Sequence, residues 1–197
     1  MSSEYEPLFT PSRTVEDDLE PVREHFHAAS RPFLRSPWSW LAWAVILPTA
    51  ALATPTAVRA GGFAFGLFLW SGAILLGGVV EMVGLFRTRA ATGGSTPLAS
   101  WVLGIQGNVS LVAVALSVFL LWQDLASALP GIWLLLLGHS FYMLGGLAFP
   151  PFRTCGLIYQ LGGAAALWPE LPPLPVFAVA TFVGNLWMAV GVWRARG

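Results

Sequence analysis

Two ionisable side chains, Glu81 and His139, interrupt long apolar stretches of this chain. A carboxylate or an imidazole in such surroundings is costly, so each points to proton exchange, to a polar contact between helices, or to ligation. Glu81 shares a helical face with Ala73, Gly77 and Gly84. Small residues let helix backbones approach, so Glu81 is expected to face protein or a cavity. It reads as a proton or substrate gate, or as a carboxylate near the interface that pairs with Arg87, Arg89 or Arg153. Arg87 lies six residues on, about 9 Å along a helix. His139 has Tyr142 and Gly146 on its face. It reads as a neutral imidazole bonded between helices, as a proton-coupling group, or as an axial ligand to a haem or chlorin. Ligation by two histidines inside the apolar region is excluded, because His25 and His27 stand in the N-terminal tail.

Uncharged polar side chains join them. Gln106, Asn108 and Ser110 cluster in one apolar stretch, with Gln106 and Ser110 on one face, and Thr181 and Asn185 share a face in another. They read as interhelical hydrogen bonds, each worth about 0.6 kcal/mol on average, or as the polar lining of a path. The candidate path is Gln106, Asn108, His139, Tyr142, Thr181 and Asn185, with Glu81 or His139 exchanging the proton.

Catalytic motifs are poor. Gly138-His139-Ser140 opens like a nucleophile elbow, but position 142 is Tyr where the closing Gly belongs. Paired cysteines, a zinc-type cluster and a phosphate loop are missing from the sequence, so neither enzymatic activity nor a cofactor or metal is expected.

Long apolar segments must position these groups. The chain has 197 residues, 56% hydrophobic and 10% charged, with a mean hydropathy of +0.69. Soluble chains carry about 25% charged residues. The single cysteine, Cys155, excludes a disulfide scaffold, and zero net charge excludes a basic nucleic-acid binder. An integral membrane protein remains. All ten basic residues are Arg.

Six segments fit: Trp38–Thr54, Gly61–Phe86, Pro97–Trp122, Ala128–Phe149, Cys155–Trp168 and Val176–Trp193. A spanning helix takes roughly 17–25 apolar residues. The first segment is expected to kink at Pro48, which frees the carbonyl of Ala44. The fifth is short, and spans only if the bilayer thins or Phe152–Thr154 join the helix. With the N-terminus in the cytoplasm, Arg13, Arg23, Arg31, Arg35, Arg87, Arg89, Arg153, Arg194 and Arg196 lie inside, and Arg59 alone lies outside. The expected fold is therefore an all-α polytopic membrane protein. Six transmembrane helices form three hairpins in the cell (inner) membrane, with both termini cytoplasmic. Trp38, Trp40, Trp122, Trp168 and Trp193 suit an interfacial belt.

Two parts follow. Residues 1–35 hold seven acids and four Arg and form an acidic cytoplasmic tail. In it Leu19, Val22, Phe26 and Phe33 recur at helical spacing, with Pro21 suited to a first turn. That pattern is an amphipathic helix on the membrane surface or a docking element. Residues 36–197 form the transmembrane domain. The first segment starts too late, behind an acidic tail, for a cleaved signal peptide. An internal repeat is suggested by Phe86-Arg87-Thr88 and Phe152-Arg153-Thr154, each preceded at one interval by Gly72 or Gly138.

Gly77-Gly78-Val79-Val80-Glu81 resembles the Gly-Gly-x-x-Gln of the acetate uptake transporters, the succinate–acetate permease family. Gly104, the run Gly131-Ile132-Trp133-Leu134 with Leu136 and Gly138, and Gly184 are similar to that family's third, fourth and sixth helices. The similarity covers roughly Gly72 to Gly191. The family's Asn-Pro-Ala-Pro-Leu-Gly-Leu at helix one is replaced by Ser36-Pro37-Trp38-Ser39-Trp40-Leu41. The resemblance implies a six-span homo-oligomer that carries a small monocarboxylate with a proton. The alternative is a non-catalytic accessory or scaffold subunit of a larger membrane complex, one that could be pigment- or haem-associated. Ten tryptophans suit its packing against other helices, and its acidic tail would dock a soluble partner.

Overall fold

The computed structural model describes residues 37–92, 97–147 and 149–195. The acidic tail, with its amphipathic pattern, lies outside the described residues. The remainder is helix joined by short turns: α1 (Pro37–Thr92), α2 (Pro97–Trp122), a single 3-10 turn (Ala126–Ala128), α3 (Leu129–Leu147), α4 (Pro150–Ala166) and α5 (Pro173–Arg194). Four stretches are long and apolar enough to cross a bilayer: Pro37–Gly84, Gly104–Trp122, Ala126–Gly146 and Pro173–Arg194.

The break in α1 is not where the sequence suggested. The backbone stays helical through Pro48 and Pro55 and leaves helical geometry at Gly61 and Gly62 instead. Gly62 has φ 68° and ψ −163°, a region open to glycine because it has no Cβ. A proline inside a helix costs one hydrogen bond, whereas this conformation reverses the chain. The second arm, 63–92, therefore runs back beside the first, 37–60. Trp70 Nε1 donates to Thr54 Oγ1 at 3.0 Å, although 16 residues of straight helix would hold them about 24 Å apart. The turn after α2 uses Asp124 instead, at φ 57°. Its N–H donates to Leu121 O and that of Leu125 to Leu120 O, which closes the last carbonyls of the helix.

Prolines open the last two helices, where a missing N–H costs nothing. α4 begins at Pro150, so Phe152–Thr154 do join it and the fifth segment lengthens to 17 residues. The repeat suggested around Arg87 and Arg153 does not hold. Phe86-Arg87-Thr88 lies far along α1, whereas Phe152-Arg153-Thr154 lies in the first turn of α4. Gly72 faces open space, while Gly138 is pressed against α4.

A different repeat is present. Thr54 Oγ1 donates to Ala50 O and accepts from Trp70; Ser117 Oγ donates to Ala113 O and accepts from Trp133 Nε1 at 2.9 Å. Each residue of the second set stands 63 positions after its counterpart, with Ala50 and Ala113 both buried. One device thus locks the two arms of α1 and, again, α2 to α3. Trp70→Phe and Trp133→Phe should each remove one indole hydrogen bond and cost about 1 kcal/mol. The two losses should add, since the clamps share no partner. Thermal unfolding of the single and double variants in detergent checks this. A double variant no less stable than either single would show that the clamps carry no independent weight.

The core lies among α3, α4, α5 and the first arm of α1. Glycines set the α3–α4 distance. Gly131, Gly138 and Gly145 recur every seventh residue on α3, opposite Gly163, Gly156 and the backbone of Arg153 on α4. A seven-residue period keeps one seam facing its neighbour along the whole contact. Rings fill the level above: Trp40 meets Phe141 and Phe152 edge-on at 5.8 and 5.6 Å. Trp40 is thus a packing residue, not part of an interfacial belt. Trp38, Trp122, Trp168 and Trp193 are exposed at helix ends, as a belt requires.

Candidate functional site

The candidate path residues fall into three places. Thr181 and Asn185, at 0% and 2% exposure, lie in the core on α5. Thr181 Oγ1 donates back to Phe177 O at 2.8 Å, so its hydroxyl is satisfied within its own helix. Asn185 lies close to the Tyr159 hydroxyl of α4. Its Nδ2 has no hydrogen-bond partner, which leaves one buried amide donor unused. Gly184 makes the contact possible: a Cβ there would strike the Tyr159 ring. Cys155, fully buried, completes this polar row.

Gln106 is the second place. Its Nε2 donates to Ser140 Oγ at 2.8 Å, which ties α2 to α3. Ser140 is buried and lies mid-helix, so Gly138-His139-Ser140 forms no elbow. The third place is the outer surface. Asn108 and His139 are exposed, and among the described residues no hydrogen bond reaches either side chain. Tyr142 is half-buried beneath Arg153, whose guanidinium carbon lies 5.0 Å from the ring centroid. That distance is a cation–π contact.

Glu81 also lies at the surface, on the second arm of α1. The small-residue argument holds for Gly77, which is buried under the Trp43 ring. It does not carry Glu81 inward. The carboxylate sits at the edge of the arm-to-arm contact, close to Trp43 of the first arm. Among the described residues it has no ion pair; the side chain of Arg89 lies outside them.

Hydrogen bonds among the described residues therefore do not join the six path residues to one another. The chemistry available in the core is hydrogen bonding by one amide, one phenol and one thiol. On the surface it is one carboxylate on α1, set apart from an imidazole, a phenol and a guanidinium on α3 and α4. An open groove at the α4–α5 turn, lined by Ala164, Ala165, Trp168, Glu170 and Leu171, contains none of them. Among the described residues no three His, Cys, Asp or Glu side chains could hold a metal ion.

Sequence reasoning missed Tyr159, Trp43 and the α3–α4 glycine seam. The seam had a readable signal, glycine at 131, 138 and 145 and again at 156 and 163. The two aromatic partners had none, because each is defined by what it meets across another helix. No family model, curated protein or solved structure matches this chain.

Proposed function

We propose that this protein crosses the membrane six times, through the two arms of α1 and through α2 to α5, and serves as a non-catalytic subunit of a larger membrane assembly. The observation that carries the proposal is the outward placement of His139 and Asn108 on α3 and α2, in apolar helices where lipid would leave them unsatisfied. The span on α2 supports it, with 6% of its length buried within the protomer. Helices in a self-sufficient bundle turn their polar side chains inward.

Orientation follows from charge. Arg87, Arg153 and Arg194 gather at one end of the helices and Arg59 at the other, so the first end is cytoplasmic. At 17 residues α4 is about 26 Å long, and the bilayer thins by a few ångströms beside it. Extraction into nanodiscs with native lipid, followed by native mass determination, tests the subunit role. Particles of fixed stoichiometry larger than one chain are expected. A lone chain, stable and monodisperse, would sink the proposal.

A second reading keeps one specific support. The unpartnered Asn185 amide, buried beside Tyr159, is a donor suited to a small carboxylate passing through the bundle. With the resemblance to acetate uptake transporters, it favours proton-coupled transport of a monocarboxylate. Uptake of labelled acetate into proteoliposomes that Asn185→Leu abolishes would establish that reading.

A further inference from the structure

Principal packing runs as an open chain: α1 on α5, α5 on α4, α4 on α3 and α3 on α2. Two outward faces of this packing differ in charge. The second arm of α1 offers Glu81, with Gly78 and Met82 on the same side. The far side of the protomer offers His139, Tyr142 and Arg153, with Met143 and Gly146. The second of these faces points away from the first arm of α1. Phe141 of α3 meets Trp40 of α1, and His139, two residues earlier, points about 200° away from it.

Glycine usage points outward too. Gly131, Gly138, Gly145, Gly156 and Gly163 each serve a close contact between α3 and α4. Gly78 and Gly146 have no atom within 4 Å of where a Cβ would be, although glycine weakens a helix by about 1 kcal/mol relative to Ala. In a membrane, small residues let a second helix approach closely.

Depth matches as well. Trp70 packs on Phe177, Ala180 meets Gly162, and Gly163 meets Gly131, so the Trp70 and Trp133 clamps lie within about one helical turn of the same level. Counting from the clamps, Glu81 is about 17 Å and Tyr142 about 14 Å toward the cytoplasmic end. Arg153 abuts Gly145, at about 18 Å. Copies inserted in the same direction therefore hold the carboxylate level with the guanidinium and within about a turn of the tyrosine.

We propose that copies of this chain assemble head to tail, the Glu81 face of α1 on one copy seated against the His139–Tyr142–Arg153 face of α3 and α4 on the next. This rests on the subunit reading above and names the partner as a second copy. Contacts between unlike faces repeat head to tail, closing into a ring where the rotation between copies closes and otherwise running on as a row in the membrane. The contact pairs an acid with a base near the cytoplasmic ends of the helices, and it fills the space over Gly78 and Gly146.

Cysteine pairing tests it cleanly, because Cys155 is the sole cysteine and is buried. In a Cys155→Ala background, Met82→Cys and Met143→Cys are made singly and together. Both native side chains are exposed, and they stand at nearly the same depth. Oxidation in native membranes should give a ladder of dimers and higher species from the double variant, and dimers from a mixture of the two singles. Neither single alone should cross-link. Arg153→Glu should weaken self-association at least about tenfold, and Glu81→Arg in the same chain should restore it. Cross-linking of a single variant with itself overturns the head-to-tail contact, since like faces would then meet. Fixed-stoichiometry particles holding another polypeptide, with no ladder, overturn the second copy as partner and leave the subunit role standing. A lone chain in nanodiscs overturns both.

Discussion

Gly156→Val is expected to separate α3 from α4 and to leave little folded protein. A Cβ at 156 would lie 2.5 Å from Tyr142 N and 2.6 Å from Gly138 O, both backbone atoms in the middle of a helix. Neither can swing aside as a side-chain tip can, so relief requires the helix axes to move apart. That movement also loosens the contacts at Gly131 and Gly145, because all three lie along one seam. Over-packing costs about 1–3 kcal/mol where side chains can yield, and a rigid backbone places this substitution at or above the top of that range. Total stabilities of about 5–15 kcal/mol leave little margin. Gly107→Val is the control: open space surrounds that position, and valine is the better helix former. Monodisperse yield and thermal unfolding in detergent should fall sharply for the first and hold for the second. Equal behaviour of the two would mean that α3 and α4 are not held backbone to backbone.

The apolar segments were legible because each is a long run bounded by charge, proline or glycine. Helix ends fall within three residues of them except in three places: the two arms of α1 each run about six residues past Thr54 and Phe86, and α4 begins five residues before Cys155. The reversal at Gly61–Gly62 was legible only as a boundary between segments. Pro48 drew attention because proline removes a backbone donor, yet the helix continues through it while a positive φ at Gly62 turns the chain. The clamp repeat escaped notice because Ser117 replaces Thr54 and the intervening residues differ. What survives is a hydroxyl, a buried alanine and an indole, a pattern of chemistry with little identity in it.

The candidate site was less legible for a physical reason. Spacing along a helix fixes which side chains share a face but not what that face meets. Gln106 and Asn108, two residues apart, end on opposite sides of α2, one bonded to Ser140 and the other at the surface. His139 and Ser140 are adjacent, one outward and the other buried. Depth in the membrane was inferable for all of them; rotation about each helix axis depends on tertiary packing. That rotation moves the ionisable groups from the interior, where a path would need them, to the surface, where a neighbouring chain would.

Asn185 and Tyr159 separate a structural polar pair from a functional one. Asn185→Leu should cost about 1–3 kcal/mol, because it leaves the Tyr159 hydroxyl, at 1% exposure, without its polar neighbour. Tyr159→Phe should cost less, since it removes a donor and leaves an amide that already lacks one partner. Combining the two removes the phenol hydroxyl and the amide with its unpaired Nδ2 together. Replacing both partners with apolar groups of similar shape is close to neutral, so the double variant should recover most of the loss seen in Asn185→Leu. Thermal unfolding of the four proteins reads the coupling directly. The double variant then distinguishes the two functions. A subunit whose role lies in its outer faces keeps its stoichiometric assembly when this pair becomes apolar. A carboxylate path through the core loses uptake in the same stable protein, because nothing at that depth is left to donate to the solute. Full recovery of stability with intact assembly would make the buried amide a tolerated cost of packing, and would leave the outward acid and base as the groups through which this protein acts.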